Sequence, residues 1–433
     1  MDAYRFDQAQ LCEAGWPAVV VLPRTTAEVQ HVLSVAGEFG VPVVPQGART
    51  GLSGGANAID GCIVLSMTRM DRIVEIDEVD QVAVVQPGVV NATLSRAVLE
   101  RGLFYAPDPS SWELSTIGGN VSTNAGGLCC VKYGVTADFV RGLEVVLASG
   151  EVLRTGVRTA KGVAGYDLTR LLVGSEGTLG VITEVTVALR SAPEAALTAA
   201  AVFPNAGSAM AAVTAVMASG VRPSMLEFVD GVTIRAIQAY RDMGLPDTAG
   251  ALLIVRSDRG ARAAEDLDLI ATLSRGAGAL EVAVADTPAE GELLMEARRL
   301  VVPAIERLGA VMFEDVAVPR ARLVELLAGV NVIAERNGIV VACCGHAGDG
   351  NMHPAIVTDR GDRAAVTRAR AAFDEIMTLA LSLGGTITGE HGVGLLKRQA
   401  LSQELGMLNQ DLQRQIRSVF DPHGILNPGK VFD

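Results

Sequence analysis

Across residues 17–190, short apolar runs alternate with segments of helical spacing. Residues 18–22 form an apolar run of strand length. In residues 26–38, Val29, Val32, Leu33 and Ala36 recur at the spacing of one helical face. Residues 41–45 predict a second strand, which stops at Gln46-Gly47. Three further runs, 63–67, 73–76 and 82–86, are rich in β-branched residues and predict strands. Residues 143–153 predict a hairpin that turns at Ser149-Gly150. The rhythm changes at Ser191-Ala192-Pro193. Beyond it, strand-like runs 199–203, 226–229 and 252–255 are separated by helical segments. Residues 288–308 carry Leu293, Leu294, Leu300, Val301 and Ile305 and predict one helix. Residues 339–344 predict a strand that enters a polar loop, and 364–383 and 399–420 predict the last helices. Arg360, Asp362, Arg363, Arg368 and Arg370 fit the solvated face of a helix. No repeat of solenoid length occurs. The expected organisation is two domains, 1–191 and 192–433.

Composition narrows the function. A chain of 433 residues that is 49% hydrophobic holds more than one small core and is not disordered. Thirty-six basic against 49 acidic residues give a net charge of −13, which repels phosphate backbones. Aromatic residues are only 4%, so there are few platforms on which bases could stack. No nucleic-acid partner is expected. A mean hydropathy of +0.33 raises the question of a membrane span. The most apolar stretches, 16–23 and 197–221, are short or interrupted by Pro, Asn, Ser and Gly. A spanning helix needs roughly 18–20 unbroken apolar residues. The opening MDAYRFDQAQ lacks the apolar run of a secretory signal. Two pairs of the six cysteines are adjacent, Cys129-Cys130 and Cys343-Cys344, and adjacent cysteines are poor disulfide partners. A reduced, cytoplasmic protein is expected, with peripheral membrane attachment left open.

Glycine is clustered. The run Gly47-Ala48-Arg49-Thr50-Gly51-Leu52-Ser53-Gly54-Gly55 follows a strand. Ser115-Thr116-Ile117-Gly118-Gly119-Asn120-Val121-Ser122-Thr123-Asn124-Ala125-Gly126-Gly127 mixes glycine with hydroxyl and amide donors. Gly174-Ser175-Glu176-Gly177-Thr178-Leu179-Gly180 is a third cluster. Any one of them could be a tight turn. Three in one domain suit a dinucleotide, because glycine backbone can approach a pyrophosphate closely and offer it N–H groups. Neither the Rossmann nor the P-loop glycine spacing occurs in these clusters.

Four of the five histidines lie after residue 345. His346 and His353 are seven residues apart across Gly348 and Gly350, which let a loop turn both rings toward one point. Glu390-His391 stands between Gly389 and Gly392. Two histidines and a glutamate suit Zn²⁺ or another divalent ion, and one histidine remains for proton transfer. Hydrogen-bonded structural pairs are the plainer alternative. His423, between Pro422 and Gly424, fits a turn.

These segments resemble the FAD-linked 2-hydroxy-acid dehydrogenase family of the vanillyl-alcohol-oxidase-type flavoproteins. The likeness runs from about Pro17 to Lys430 and points to the branch of D-lactate dehydrogenase, the glycolate oxidase flavin subunit and D-2-hydroxyglutarate dehydrogenase. It implies an α+β fold: an FAD-binding α+β domain plus a C-terminal domain with an antiparallel sheet covered by helices. It assigns FAD contacts to Gly47, Ala48, Arg49, Thr50, Gly51, Ser53, Gly118, Gly119, Ser122, Thr123, Glu176, Gly177, Ile182 and Asn427. By the same resemblance His346, His353 and Glu390 bind the metal, His391 is the base, and Arg298 holds the substrate carboxylate. Residues 385–433 would return to the flavin.

Two places depart from the family pattern. Ala48-Arg49 replaces two small residues, and Cys129-Cys130 stands where an arginine is common. Val302 and Phe313 occupy the threonine and lysine positions of dicarboxylate relatives, which favours a monocarboxylic acid. With no histidine in the glycine clusters, FAD is expected to be held non-covalently, with Cys129 and Cys130 packed rather than linked. The expected reaction oxidises D-lactate, glycolate or a similar 2-hydroxy acid to the 2-oxo acid. Electrons would leave to a quinone, a redox protein or oxygen, and a homodimer is left open. D-2-hydroxyglutarate dehydrogenation, a metal-dependent hydrolase and a non-catalytic FAD relay subunit are the rival readings.

Overall fold

The computed structural model describes residues 1–432. The chain divides into two compact units. Residues 1–127, 134–192 and those from Glu390 onward form the first; residues 128–133 and 193–389 form the second. The units therefore do not follow the linear spans 1–191 and 192–433: the last stretch belongs by its contacts to the first unit.

In the first unit, strands Val19–Val21, Ile63–Ser66 and Val43–Gln46 make a parallel sheet in that order. The helix Thr26–Phe39 is the crossover between the two outer strands, which flank Ile63–Ser66. Thr25 caps its start by accepting from the Glu28 amide, and Gly40 ends it in the left-handed conformation. Its apolar stripe, Val29, Leu33 and Ala36, packs on Val43, Leu65 and Met67. A second, antiparallel sheet runs Ile73–Asp77, Val82–Val85, Val181–Ala188, Val140–Val146 and Val152–Gly156. Its last two strands in the chain's 140–156 region form the hairpin expected at Ser149-Gly150.

The second unit is built on an eight-stranded antiparallel sheet. Its neighbours run Glu281–Val284, Leu197–Phe203, Ala251–Ser257, Met225–Asp230, Val340–His346, Asn351–Thr358 and Ala310–Phe313, with Val316–Ala317 also paired to Asn351–Thr358. One face carries Met225, Val229, Leu252, Ile254, Ala342, Cys344 and Ala355, which pack with Ile234, Ile237, Val301 and Ile305. Leu226, Phe228, Val341 and Ile356, at the alternate positions, are buried too. The helices Ala206–Ala218, Ala263–Gly276, Leu323–Asn337 and Arg363–Ser382 also pack on this sheet.

Two helices differ from the periodicity. The segment 288–308 is divided into Pro288–Leu294, Glu296–Arg299 and Val301–Glu306. Pro303 lacks an N–H and crowds the carbonyl four residues back, at Arg299, beside the second break at Leu300. The break at Met295 has no such cause in the sequence. Leu401–Phe420 is interrupted at Gly406, whose φ of 71° and ψ of 164° are not helical. None of the six cysteines takes part in a disulfide among the described residues. No described helix is long and apolar enough to cross a membrane.

Candidate functional site

In the second unit the site grows out of sheet register. Glu227 lies directly opposite His346, and Cys344 directly opposite His353. Side chains alternate along a strand, so Glu227, His346 and His353 share one face. The same face carries the apolar core; these three are its polar end. The two imidazole rings meet edge to face with centroids 5.1 Å apart. His346 Nδ1 lies 2.6 Å from Glu227 Oε1, and the Arg298 Nε–H donates to Glu227 Oε2 at 2.7 Å.

Glu227 is fully buried and Arg298 is 9% exposed, so Arg298 is not a solvated helix charge. Burial alone would push the Glu227 carboxyl up. The neighbouring His346 and Arg298 outweigh it and hold the group below its ordinary value. A second buried carboxylate, Asp315, accepts from Asn351 Nδ2, Thr388 Oγ1 and the Gly389 amide at 2.7–2.8 Å. Its Oδ1 stands 3.6 Å from His353 Nδ1. Each histidine thus has an acidic neighbour on its Nδ1 side, but only His346 is within hydrogen-bonding distance of it, the arrangement that fixes an imidazole and leaves Nε2 as the outward nitrogen. Phe313 is half-buried against the core, whereas Val302 is 41% exposed. Cys129 and Cys130 lie in the 128–133 segment, whose Lys132 and Tyr133 both bond to Asp258.

In the first unit the three glycine segments differ in kind. The first is an irregular loop, with Arg49 at a φ of 60° and its guanidinium over the Tyr4 ring. The second folds mostly into the helix Ile117–Thr123, capped by Thr116. A Cβ on Gly47 would stand 2.4 Å from Thr116 Oγ1, and one on Gly118 2.5 Å from Pro87 Cβ, so neither position admits a side chain without movement. The Ser122 and Thr123 hydroxyls donate to the carbonyls of Gly118 and Gly119.

Gln46 Oε1, Ser115 Oγ and Asn120 Nδ2 are buried and find no hydrogen-bond partner among the described residues. Buried polar atoms are costly to leave unsatisfied. Their concentration on the strand and helix bearing the first two clusters fits a polar ligand bound at these segments. Ile182 is buried in the strand Val181–Ala188.

The third segment, Glu176 above all, is woven into the unit. Its carboxylate accepts from the Val393 and Gly394 amides at 2.7 and 2.9 Å. Its own amide donates to the Ser122 carbonyl, and its carbonyl accepts from Asn427 Nδ2 at 2.8 Å. Burial pushes the Glu176 carboxyl up to about 7. Asn427 also donates to the Gly55 carbonyl, and the Lys430 ammonium donates to the Asn57 carbonyl at 2.6 Å. Burial pulls Lys430 down to about 8. Glu390 and His391 open the returning stretch of this unit, with His391 Nε2 3.8 Å from Glu390 Oε1. His423 is exposed in a turn.

The sequence did not single out Glu227, Asp315 or Lys430. A signal existed for the first: one acidic residue inside the otherwise apolar run 225–229. For Asp315 and Lys430 no pattern in the chain marks the role.

Residues 192–431 match the family of FAD linked oxidases, C-terminal domain, and residues 17–156 match an FAD binding domain. Glycolate oxidase subunit GlcD of Bacillus subtilis strain 168 is 44% identical over 418 residues, 96% of this chain and 89% of that protein. D-lactate dehydrogenase of Anaerostipes hadrus is 34% identical, covering 99% of this chain and 92% of its own. Among solved structures, p-cresol methylhydroxylase with substrate bound has the same fold, with a TM-score of 0.78 at 18% identity over 99% of this chain and 92% of that one.

Proposed function

The chain belongs to the FAD-linked oxidases, and from that premise we propose that it oxidises a 2-hydroxy monocarboxylic acid, such as D-lactate or glycolate, to the 2-oxo acid. The near-full-length likeness to a glycolate oxidase subunit and a D-lactate dehydrogenase carries the reading. Family membership with an FAD binding domain leaves no support for a hydrolase.

The chain's own groups divide the work. Arg298 would bind the substrate carboxylate; its Nε is committed to Glu227, so the planar fork is presented in a fixed direction. His391 would take the proton from the substrate hydroxyl. His346, His353 and Glu390 would hold a divalent ion, Zn²⁺ or a similar one, and the donor set fits: two imidazoles, that of His346 tethered through Nδ1 to Glu227, plus a carboxylate. Such an ion supplies Lewis-acid stabilisation of the substrate oxygens, and FAD supplies the acceptor for the Cα hydride. FAD would be held non-covalently by the segments around Gly47, Gly118 and Gly177, whose backbones approach where no Cβ fits and whose neighbours include the unpartnered buried polar atoms. The final electron acceptor would be a quinone, a redox protein or oxygen.

Anaerobic bleaching of the flavin by a panel of acids tests this. D-lactate, glycolate or a longer monocarboxylate should exceed D-2-hydroxyglutarate in kcat/KM, because Phe313 supplies no cation for a second carboxylate. D-2-hydroxyglutarate ahead by about tenfold or more, roughly 1.4 kcal/mol of transition-state binding, would overturn the monocarboxylate preference. Absence of bleaching by every acid would overturn the substrate class.

A further inference from the structure

We propose that Glu176 is a positioning residue for the catalytic base His391 rather than a cofactor contact, an inference that rests on the assignment of His391 above. Both carboxylate oxygens of Glu176 are committed to one turn: Oε1 accepts from the Val393 amide and Oε2 from the Gly394 amide. Two adjacent amides held by one carboxylate fix the Gly392–Val393 and Val393–Gly394 peptide planes, which begin one residue beyond His391, and so restrain the turn that carries it.

The turn is shaped for this contact. Gly392, at a φ of 86°, would put a Cβ 2.8 Å from Glu176 Oε1; Gly394, at a φ of 50°, would put one 2.3 Å from the Ser53 carbonyl oxygen. Glycine at both places lets the chain close onto the carboxylate.

A second restraint comes from Ser53. Its hydroxyl donates to the His391 carbonyl at 3.2 Å, and its carbonyl accepts from the Leu395 and Leu396 amides. Val431 donates to the Gly394 carbonyl, and Asn427 clamps the backbones of Glu176 and Gly55 together. The backbone from His391 to Leu396 is therefore held from three sides by groups far away in sequence. The base acts on a proton whose transfer depends steeply on distance and angle, so a small rotation of this turn should lower the rate with FAD still bound.

A double-mutant cycle on the FAD-loaded enzyme tests the role. Glu176→Gln is nearly isosteric but sets an NH₂ against one of the two amides. Its flavin absorbance per protein should match that of the parent, and anaerobic flavin reduction by D-lactate or glycolate should slow by roughly tenfold to a hundredfold, with the effect in kcat rather than KM. In a His391→Ala background, adding Glu176→Gln should change the residual rate less than twofold, about 0.4 kcal/mol and within the scatter of independent sites. A further loss of tenfold or more in that background would overturn the proposal, because Glu176 would then act by another route. Loss of FAD from Glu176→Gln would also overturn it, in favour of a cofactor contact. Full activity of His391→Ala alone would remove the base assignment itself, and with it this role.

If Glu176→Gln does not fold, Ser53→Ala replaces it in the cycle. It removes the bond to the His391 carbonyl, and the same non-additivity is expected. Additive losses for Ser53→Ala with His391→Ala would overturn the proposal on that arm.

Discussion

The two units present polar groups in different ways. In the second, side chains on neighbouring strands do the work: register sets Glu227 against His346, and one diagonal step further sets His353 on the same face. In the first, backbone does most of it: glycine segments, left-handed residues at Arg49, Glu176 and Asn427, and hydrogen bonds between peptides and buried side chains. A strand face suits a cluster that must fix ring nitrogens in direction, because cross-strand spacing is the same wherever the ladder continues. Loops suit a long anionic cofactor, which is met by many N–H groups and tolerates few Cβ atoms. A substitution in the sheet cluster should therefore injure chemistry with little effect on cofactor, and one in the loops should injure cofactor and stability together.

The largest effect is expected in the sheet. His346→Ala should lower turnover by on the order of a thousandfold, roughly 4 kcal/mol. Metal analysis should show the divalent ion lost while flavin absorbance persists. Near one equivalent of tightly held metal in the variant would contradict the ligand assignment, and loss of flavin would blur the division between the units.

Next in size is Gly177→Ala. Gly177 has a φ of 72°, and a Cβ there would stand 2.5 Å from Pro45 Cγ. Left-handed strain and overpacking together should cost about 3 kcal/mol in denaturant unfolding. Flavin should be released at lower denaturant than in the parent. A variant with unchanged midpoint and full flavin would show that these loops yield more easily than the geometry implies.

The smallest effect concerns pH. Burial raises the folded-state value of Glu176 to about 7, above its ordinary 4.5. A raised carboxyl contributes stability fully present below the unfolded value and lost as pH rises through the folded one. The native protein should therefore lose stability between about pH 4.5 and 7 relative to Glu176→Gln, by roughly 1–3 kcal/mol. Thermal melts of both proteins across that window check it; parallel curves would mean that Glu176 titrates normally. Lys430, pulled down to about 8, runs the other way, since its contribution is lost as pH falls through that value. It stays largely protonated below pH 7, so it leaves the sign in that window unchanged.

Much of this was legible in the chain. The strands 63–66, 82–85, 197–203 and 251–257 and the helices 26–39 and 363–382 follow from apolar period, because a strand or helix must turn its apolar face to a core wherever it sits. The three glycine clusters and the histidines near 346, 353 and 391 stand out by composition, since few other demands bring those residue types together. Tertiary structure alone decided the rest. That Glu227 meets His346, 119 residues away, depends on the pairing of two strands that no local pattern specifies. That Glu176 holds amides 217 and 218 residues further on depends on the return of the C-terminal stretch to the first unit. Periodicity reports which face of an element is buried. It carries no information about which distant element covers that face, because that choice is made by the summed packing and hydrogen bonding of the whole chain.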